Sequence, residues 1–256
     1  MNKKQKILSF SGIGIIIIVL ILYIFLSEKT LCKNVDITFI KTEYNLINKK
    51  DIETVIFSEY KNLLGSPVDN VNLEKLEKKI EMIPAVKNAE VFKKINGVLG
   101  ITIEQRTPVL KVLPEKTKGF YIDENGELMP LSKKGTVRVL TATGNIKYKY
   151  KGEKISVRKD SSVTQTVKDL YLLAKYLNND SFFKSQAEQI YVKRNNEYEL
   201  VPLAGNHIVL LGDIFDYRKK LKYLKYFYTN TLCEEGWQKY KYINLKFKNQ
   251  IVCTKR

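Results

Sequence analysis

Apolar residues change their spacing along this chain, and each change predicts an element. Residues 7–26, ILSFSGIGIIIIVLILYIFL, carry no charged side chain. At about 1.5 Å rise per residue, a helix of that length crosses a hydrocarbon layer of about 30 Å. The β-branched run NVDITFIK (34–41) then predicts a strand. In INKKDIETVIFSEYKNLLG, Ile52, Val55, Ile56 and Tyr60 recur at helical spacing. Asn48 is the expected N-cap, Asp51 falls in the first turn, and Gly65 and Pro67 supply the stop. NLEKLEKKIEMI (72–83) repeats the pattern, with Asn72 as cap, Leu73, Leu76, Ile80 and Ile83 on one face, and Pro84 as terminator. VKNAEVFKKI and VLGITIEQR are two strands joined through Asn96-Gly97, a strong hairpin signal. The order β-α-α-β-β asks two helices to cover one face of a three-stranded sheet, since neither layer buries its apolar side alone.

A second part begins after RTPVLKVLPEKTKG, with short β-like runs GFYID, ELMPLS and VRVLTAT. DENG makes a tight turn between the first two. SSVTQTVKDLYLLAKYLNND predicts a helix with a serine cap and Val163, Val167, Leu170, Ala174 and Leu177 inward. QIYVKRNNEYELVP is a hairpin turning at Asn195-Asn196, and HIVLLG is a further strand. DYRKKLKYLKYFYTNTL is a basic helix with Leu221, Leu224 and Tyr228 inward. Its interleaved Lys and Tyr fit lysine stems lying over a core, with a tyrosine-rich binding face as the alternative. In INLKFKNQI, Ile243, Leu245, Phe247 and Ile251 alternate with Asn244, Lys246, Lys248 and Gln250. That is the pattern of a half-buried strand near the chain's end. The expected class is α+β: a single N-terminal transmembrane helix, a β-α-α-β-β domain, then a second, mostly antiparallel α+β domain. The expected limits are a tail at 1–6, the anchor at 7–26, a first domain at 32–110 and a second at 111–256.

Charge bears on the compartment. Lys3, Lys4 and Lys6 precede the apolar segment, while Glu28 partly offsets Lys29 and Lys33 after it. The positive-inside rule places the short N-terminus in the cytoplasm and the rest of the chain outside. FLSEKTLCK offers no small-x-small cleavage site, so a retained anchor is expected rather than a cleaved signal. The net charge of +17 is spread along the chain, and a nucleic-acid surface would need it clustered on one face. The plain reading is a Lys-, Asn- and Ile-rich base composition, and weak attraction to anionic headgroups or anionic envelope polymers is the functional reading beside it.

The three cysteines, Cys32, Cys233 and Cys253, lack metal-ligand spacing. Cys233 and Cys253 could pair in an oxidising compartment, although small buried thiols are the preferred reading. The one histidine, His207, starts an apolar strand and reads as a packing or surface residue. No GxSxG, P-loop or HExxH occurs, and no carboxylate pair stands out. No enzymatic activity, metal or cofactor is therefore expected.

The order of these motifs resembles the FtsQ/DivIB family of bacterial cell-division proteins, with the first domain similar to a POTRA domain. The resemblance runs through Gly65, Leu73, Pro84, Val86, Ala89 and Val91. It continues through ITIEQRTPVL, where Gln105 takes the place of a usual Glu before Arg106, and through Asp123 and Gly126 of FYIDENGELMPLS. Gly212 of VLLGD, the following Lys-Leu helix and the closing YINLKFKNQI complete it. Ile95-Asn96-Gly97 replaces a common Trp-Pro, Asn244 stands for Asp, Lys246 for Arg and Gln250 for a turn glycine.

The resemblance implies a non-enzymatic scaffold in the plasma (inner) membrane at the division septum, its bulk on the periplasmic side. It would bind FtsB- and FtsL-like coiled-coil proteins and link them to the septal peptidoglycan-synthesis machinery. The family's last strand pairs with a partner segment, which makes Lys246, Phe247, Lys248, Asn249, Gln250 and Ile251, with Tyr242 nearby, the expected docking edge. A free edge strand is an aggregation liability unless charged or paired, which agrees with that role. The alternatives are an accessory of protein export or outer-membrane assembly, which calls for a β-barrel or further POTRA repeats, and a tethered binder of anionic polymers.

Overall fold

The computed structural model describes residues 30–42, 44–132 and 137–256. The expected tail and anchor lie outside them. Among the described residues no helix is long and apolar enough to cross a membrane.

The first domain follows the expected order. β1 (Asn34–Phe39) is followed by α1 (Lys49–Glu59), a 3-10 turn (Val68–Asn70) and α2 (Leu73–Glu81). β2 (Val86–Lys93) and β3 (Val98–Gln105) form a hairpin. The sheet order is β1-β3-β2, with β1 parallel to β3. Asn48 and Asp51 close a reciprocal capping box on α1, and Asn72 caps α2 through Lys75 N–H. Each such cap is worth about 1 kcal/mol. The helices bury Ile52, Ile56, Leu76 and Ile80 against Val86, Ala89, Val91, Leu99, Ile101 and Ile103 of the sheet. The β2–β3 turn needs Gly97 at φ 78°, where an added Cβ would lie 2.3 Å from the Leu31 carbonyl oxygen.

The second domain is one nine-stranded sheet, ordered β12-β11-β10-β9-β8-β7-β4-β5-β6. Its strands are β4 (Pro108–Pro114), β5 (Phe120–Asp123), β6 (Leu128–Pro130), β7 (Leu140–Gly144), β8 (Ala187–Val192), β9 (Tyr198–Pro202), β10 (Ile208–Gly212), β11 (Tyr240–Asn244) and β12 (Val252–Lys255). Five of the eight pairings are antiparallel. β4/β7, β7/β8 and β10/β11 are parallel. Helices α3 (Gln165–Asn179), α4 (Ser181–Gln186) and α5 (Tyr217–Phe227) supply one side of the core. Val167, Leu170, Leu173, Ala174, Leu177, Leu221 and Leu224 pack with Leu110, Val112, Ala142, Ile190 and Val192 of the sheet. Burial alternates along β4, β7 and β9, so the opposite face is half open to water.

Several expectations change. PVLKVLP, left in the connection between domains, is strand β4, which lies between β7 and β5, third from one end of the sheet. Pro108 opens the strand and Pro114 closes it. The change of sheet therefore falls at Arg106–Thr107 rather than after residue 110. Thr164, not a serine, occupies the α3 N-cap, and its hydroxyl makes no capping bond. VRVLTAT becomes a strand only from Leu140. The cysteines form no disulfide; Cys32 is buried, but Cys233 is exposed rather than a buried thiol.

The domains meet over a small apolar cluster of Leu46, Ala85, Tyr121, Met129 and Val137. Gln105 Oε1 accepts from Leu46 N–H (2.9 Å) and Ile47 N–H (3.2 Å), tying the segment before α1 to the end of β3. Beside it, Arg106 Nη1 donates to Asp123 Oδ2 at 2.8 Å with both side chains buried. Asp123 Oδ1 accepts from Asn125 N–H (2.9 Å) and Glu127 N–H (2.7 Å), so one carboxylate also shapes the turn into β6.

Candidate partner-binding edge

The last part of the chain builds one edge of the large sheet. β10 ends at Gly212 with φ 78°, where a Cβ would lie 2.8 Å from Lys246 Cγ. The chain then leaves through α5, whose Leu221 and Leu224 seat it on the core. It continues through a turn of π-helix (Tyr228–Leu232) and a short helix α6 (Cys233–Glu235). It returns as β11, parallel to β10, with Leu245 N–H donating to Leu210 C=O at 2.9 Å. The expected strand over Ile243–Ile251 does not continue: β11 stops at Asn244 and the chain reverses through Phe247–Asn249. Asn249 takes φ 59°, a left-handed conformation that Asn adopts more readily than most residues. β12 then runs back antiparallel to β11, pairing Asn244 with Val252 and Ile243 with Cys253. The period-two pattern misled because apolar Phe247 and Ile251 sit on either side of a turn.

The expected docking residues therefore occupy a hairpin tip and its flanks. Tyr242 is in β11, opposite Ile208 and Thr254, with Lys241 Nζ 5.4 Å from its ring centroid. It lines a small cleft with Asn206, Ile208, Lys241 and Arg256. Lys246 Nζ bonds Glu197 Oε1 at 2.7 Å, and that hydrogen bond holds the Glu197 carboxyl below its usual range. Phe247 is 50% exposed. Lys248 and Gln250 are exposed, and Lys219 Nζ donates to Asn249 Oδ1 at 2.8 Å. Ile251 packs back on the core.

The true edge, Val252–Lys255, was missed. Its outer side carries no strand partner among the described residues, and Val252 is 41% exposed. The β-branched Val252 and Thr254 after a turn-forming Asn were the available signal. His207, expected to be a packing or surface residue, lies immediately before β10 and is buried. Its Nε2 is 2.7 Å from the Tyr228 hydroxyl and its ring stacks on Trp237 at 6.4 Å. Burial holds its pKa below the usual value, the effect being opposed by a bond to the Trp237 backbone. No group of three or more His, Cys, Asp or Glu able to hold a metal occurs among the described residues.

A small βααββ module joined to a mixed sheet ending in an open hairpin defines a two-domain protein of the POTRA-plus-β type. Family comparison agrees: residues 30–104 match the POTRA-like domain. Residues 107–254 match the family described as FtsQ/DivIB, C-terminal related. The second match spans more than half the chain, and the chain belongs to that division-related family. No curated protein matches it.

Proposed function

We propose that this protein is a single-pass membrane scaffold of the division machinery. Its N-terminus is cytoplasmic and its two described domains face the periplasmic side at the septum. It binds small FtsB- and FtsL-like coiled-coil proteins by strand addition to β12 and links them to septal peptidoglycan synthesis, without catalysis of its own. The supporting observation is that β12 is the terminal strand of the sheet, with no further strand beside it among the described residues. An incoming extended segment would complete its backbone hydrogen bonds, and alternate side chains would read the partner. Burial of His207 among Tyr228 and Trp237 favours a structural role for the chain's one imidazole.

Adjacent residues of a strand point their N–H groups to opposite sides. Cys253→Pro and Thr254→Pro, made separately in the full chain, therefore remove one donor towards β11 and one towards the outside. Capture of small single-span coiled-coil proteins from cells should fall at least about tenfold in the outward variant, with its melting temperature nearly unchanged, since tenfold corresponds to about 1.4 kcal/mol. Equal capture by wild type and both variants would place the partner elsewhere.

A further inference from the structure

A second surface, at the carboxyl ends of the neighbouring parallel strands β4 and β7, has no part in the edge. There an open groove of about 470 Å³ is lined by Glu115, Lys116, Thr117, Gly144, Asn145, Ile146, Lys147, Tyr148 and Lys149. After Gly144 the chain NIKYKYK alternates strictly. Lys147, Lys149 and Lys151 are exposed, whereas Tyr148 and Tyr150 turn inward. Both tyrosine rings pack against Phe120, with centroids 5.6 and 5.7 Å away. Thr117 Oγ1 fastens the segment through the Tyr148 carbonyl at 2.7 Å. The tyrosines thus hold a row of lysines outward on a seated backbone, and Lys116 and Lys118 project from the facing loop.

These lysines differ from the ion-paired ones elsewhere on the molecule. Lys87, Lys93, Lys94, Lys193, Lys225 and Lys246 each meet a carboxylate. Among the described residues, no carboxylate lies within ion-pair distance of Lys116, Lys118, Lys147, Lys149 or Lys151. A row of unpaired cations raises the local potential and recruits a ligand of opposite charge.

The geometry points to a flexible polyol-phosphate chain of the envelope as that ligand; we propose that the groove binds it through the Lys116, Lys147 and Lys149 ammonium groups that line it, with Lys151 next along the row. Alternate residues of an extended segment project charges about 6.6–6.8 Å apart. A phosphodiester chain with a short polyol bridge repeats its charge at a similar interval. Glu115 on the rim then meets the polyol hydroxyls, which donate to a carboxylate, rather than the phosphates. The concave groove admits a chain, whereas a flat bilayer would touch only the lysine tips. The proposal rests on the described domains lying outside the membrane, as proposed above, but not on the β12 edge.

The test uses the full chain in phosphatidylcholine nanodiscs with fluorescent polyglycerol phosphate as probe. The variant Lys147→Gln/Lys149→Gln/Lys151→Gln is compared with Lys41→Gln/Lys50→Gln/Lys61→Gln, which removes the same charge from exposed first-domain positions. The groove variant should bind at least about tenfold more weakly at about 0.1 M salt and lose about two units of the log–log salt slope. The first-domain variant should stay within about twofold, and a Lys→Arg triple in the groove should keep binding, because the interaction is ionic. Equal losses in both Gln triples, or none in either, would overturn the site. Phosphatidylglycerol vesicles that bind as tightly and lose as much in the groove variant would make the ligand a lipid surface and overturn the polymer reading. Coiled-coil capture measured on the same preparations separates the two proposals. The groove variant should retain it, and its failure in every preparation would count against the edge alone.

Discussion

The large sheet has two edges, and they are finished differently. At one end β6 is three residues long, closes on Pro130, and is covered by the chain that follows. Leu128 N–H donates to the Ile155 carbonyl at 2.8 Å, Val157 N–H to the Gly126 carbonyl at 2.8 Å, and Glu127 bridges to Ser156. At the other end β12 has β11 on one side and, among the described residues, no strand on the other. Short length, proline and a covering segment are the usual ways to prevent edge-to-edge association. The same chain applies all three at β6, whereas β12 is also short, at four residues, and carries Lys255 and the neighbouring lysines but no proline and no covering segment among the described residues. The covering segment and the proline are found at the β6 edge and not at β12, and that difference is what the proposed strand addition at β12 calls for.

The largest expected effect breaks the closed side. Asp123 holds the turn into β6 and neutralises Arg106 in a buried site. Asp123→Ala strands the guanidinium and two backbone donors, and should cost about 3–5 kcal/mol. Asp123→Leu with Arg106→Met removes both charges and should recover part of that loss. Denaturant melts of the three proteins check this; a single variant as stable as wild type would show that the pair does not support the closed edge. Amide exchange should quicken at Leu128 and Met129 well before 252–255.

A smaller effect distinguishes the open side by pH. Unfolded histidine titrates near 6.5, and burial among Tyr228, Trp237 and the nearby Arg256 holds His207 lower. The unfolded chain therefore takes up this proton first. The stabilisation is complete above about pH 7 and is lost as pH falls through about 6.5 towards the folded value, by at most about 1.4 kcal/mol per pH unit. Arg256 Nη2 donates to the Asn206 carbonyl at 2.6 Å, which ties β12 to the same corner. Trp237, the only tryptophan, reports locally. His207→Gln should narrow its stability deficit, or overtake wild type, between pH 7.5 and 5.5. A gap that stays constant over that range would mean that His207 is not a source of acid sensitivity.

The first domain was legible in the sequence because its information is local. Asn48, Asn72, Gly65 and Asn96-Gly97 each act within a few residues of themselves. The second domain was legible in its helices and in the Asn195-Asn196 hairpin, but not in its order. That β4 lies beside β7 and β5 is decided by what Leu110 and Val112 meet across the sheet, and no local spacing records it. The site was half legible. Tyr242 to Ile251 did point to the edge hairpin, yet period-two counting cannot distinguish a strand from a strand that turns back on itself. Only the side-chain preference of Asn249 for a left-handed backbone carried the difference. The closed edge was invisible, since the bonds from Ile155 and Val157 join segments far apart in the chain.

The smallest effect tests whether that hairpin tip is only a turn. Asn249→Ala must hold φ near 59° without the local support that Asn provides, and should cost about 1 kcal/mol. Asn249→Gly relieves the backbone but loses the bond from Lys219, so it should fall within about 0.5 kcal/mol of wild type. Thermal melts give the stability order. If the tip only reverses the chain, the Gly variant captures coiled-coil partners as well as wild type does, and binding energy resides in Val252–Lys255. If its capture drops while its melting temperature holds, the Asn249 side chain itself meets the partner, and the docking surface extends from the open strand across the turn to Phe247.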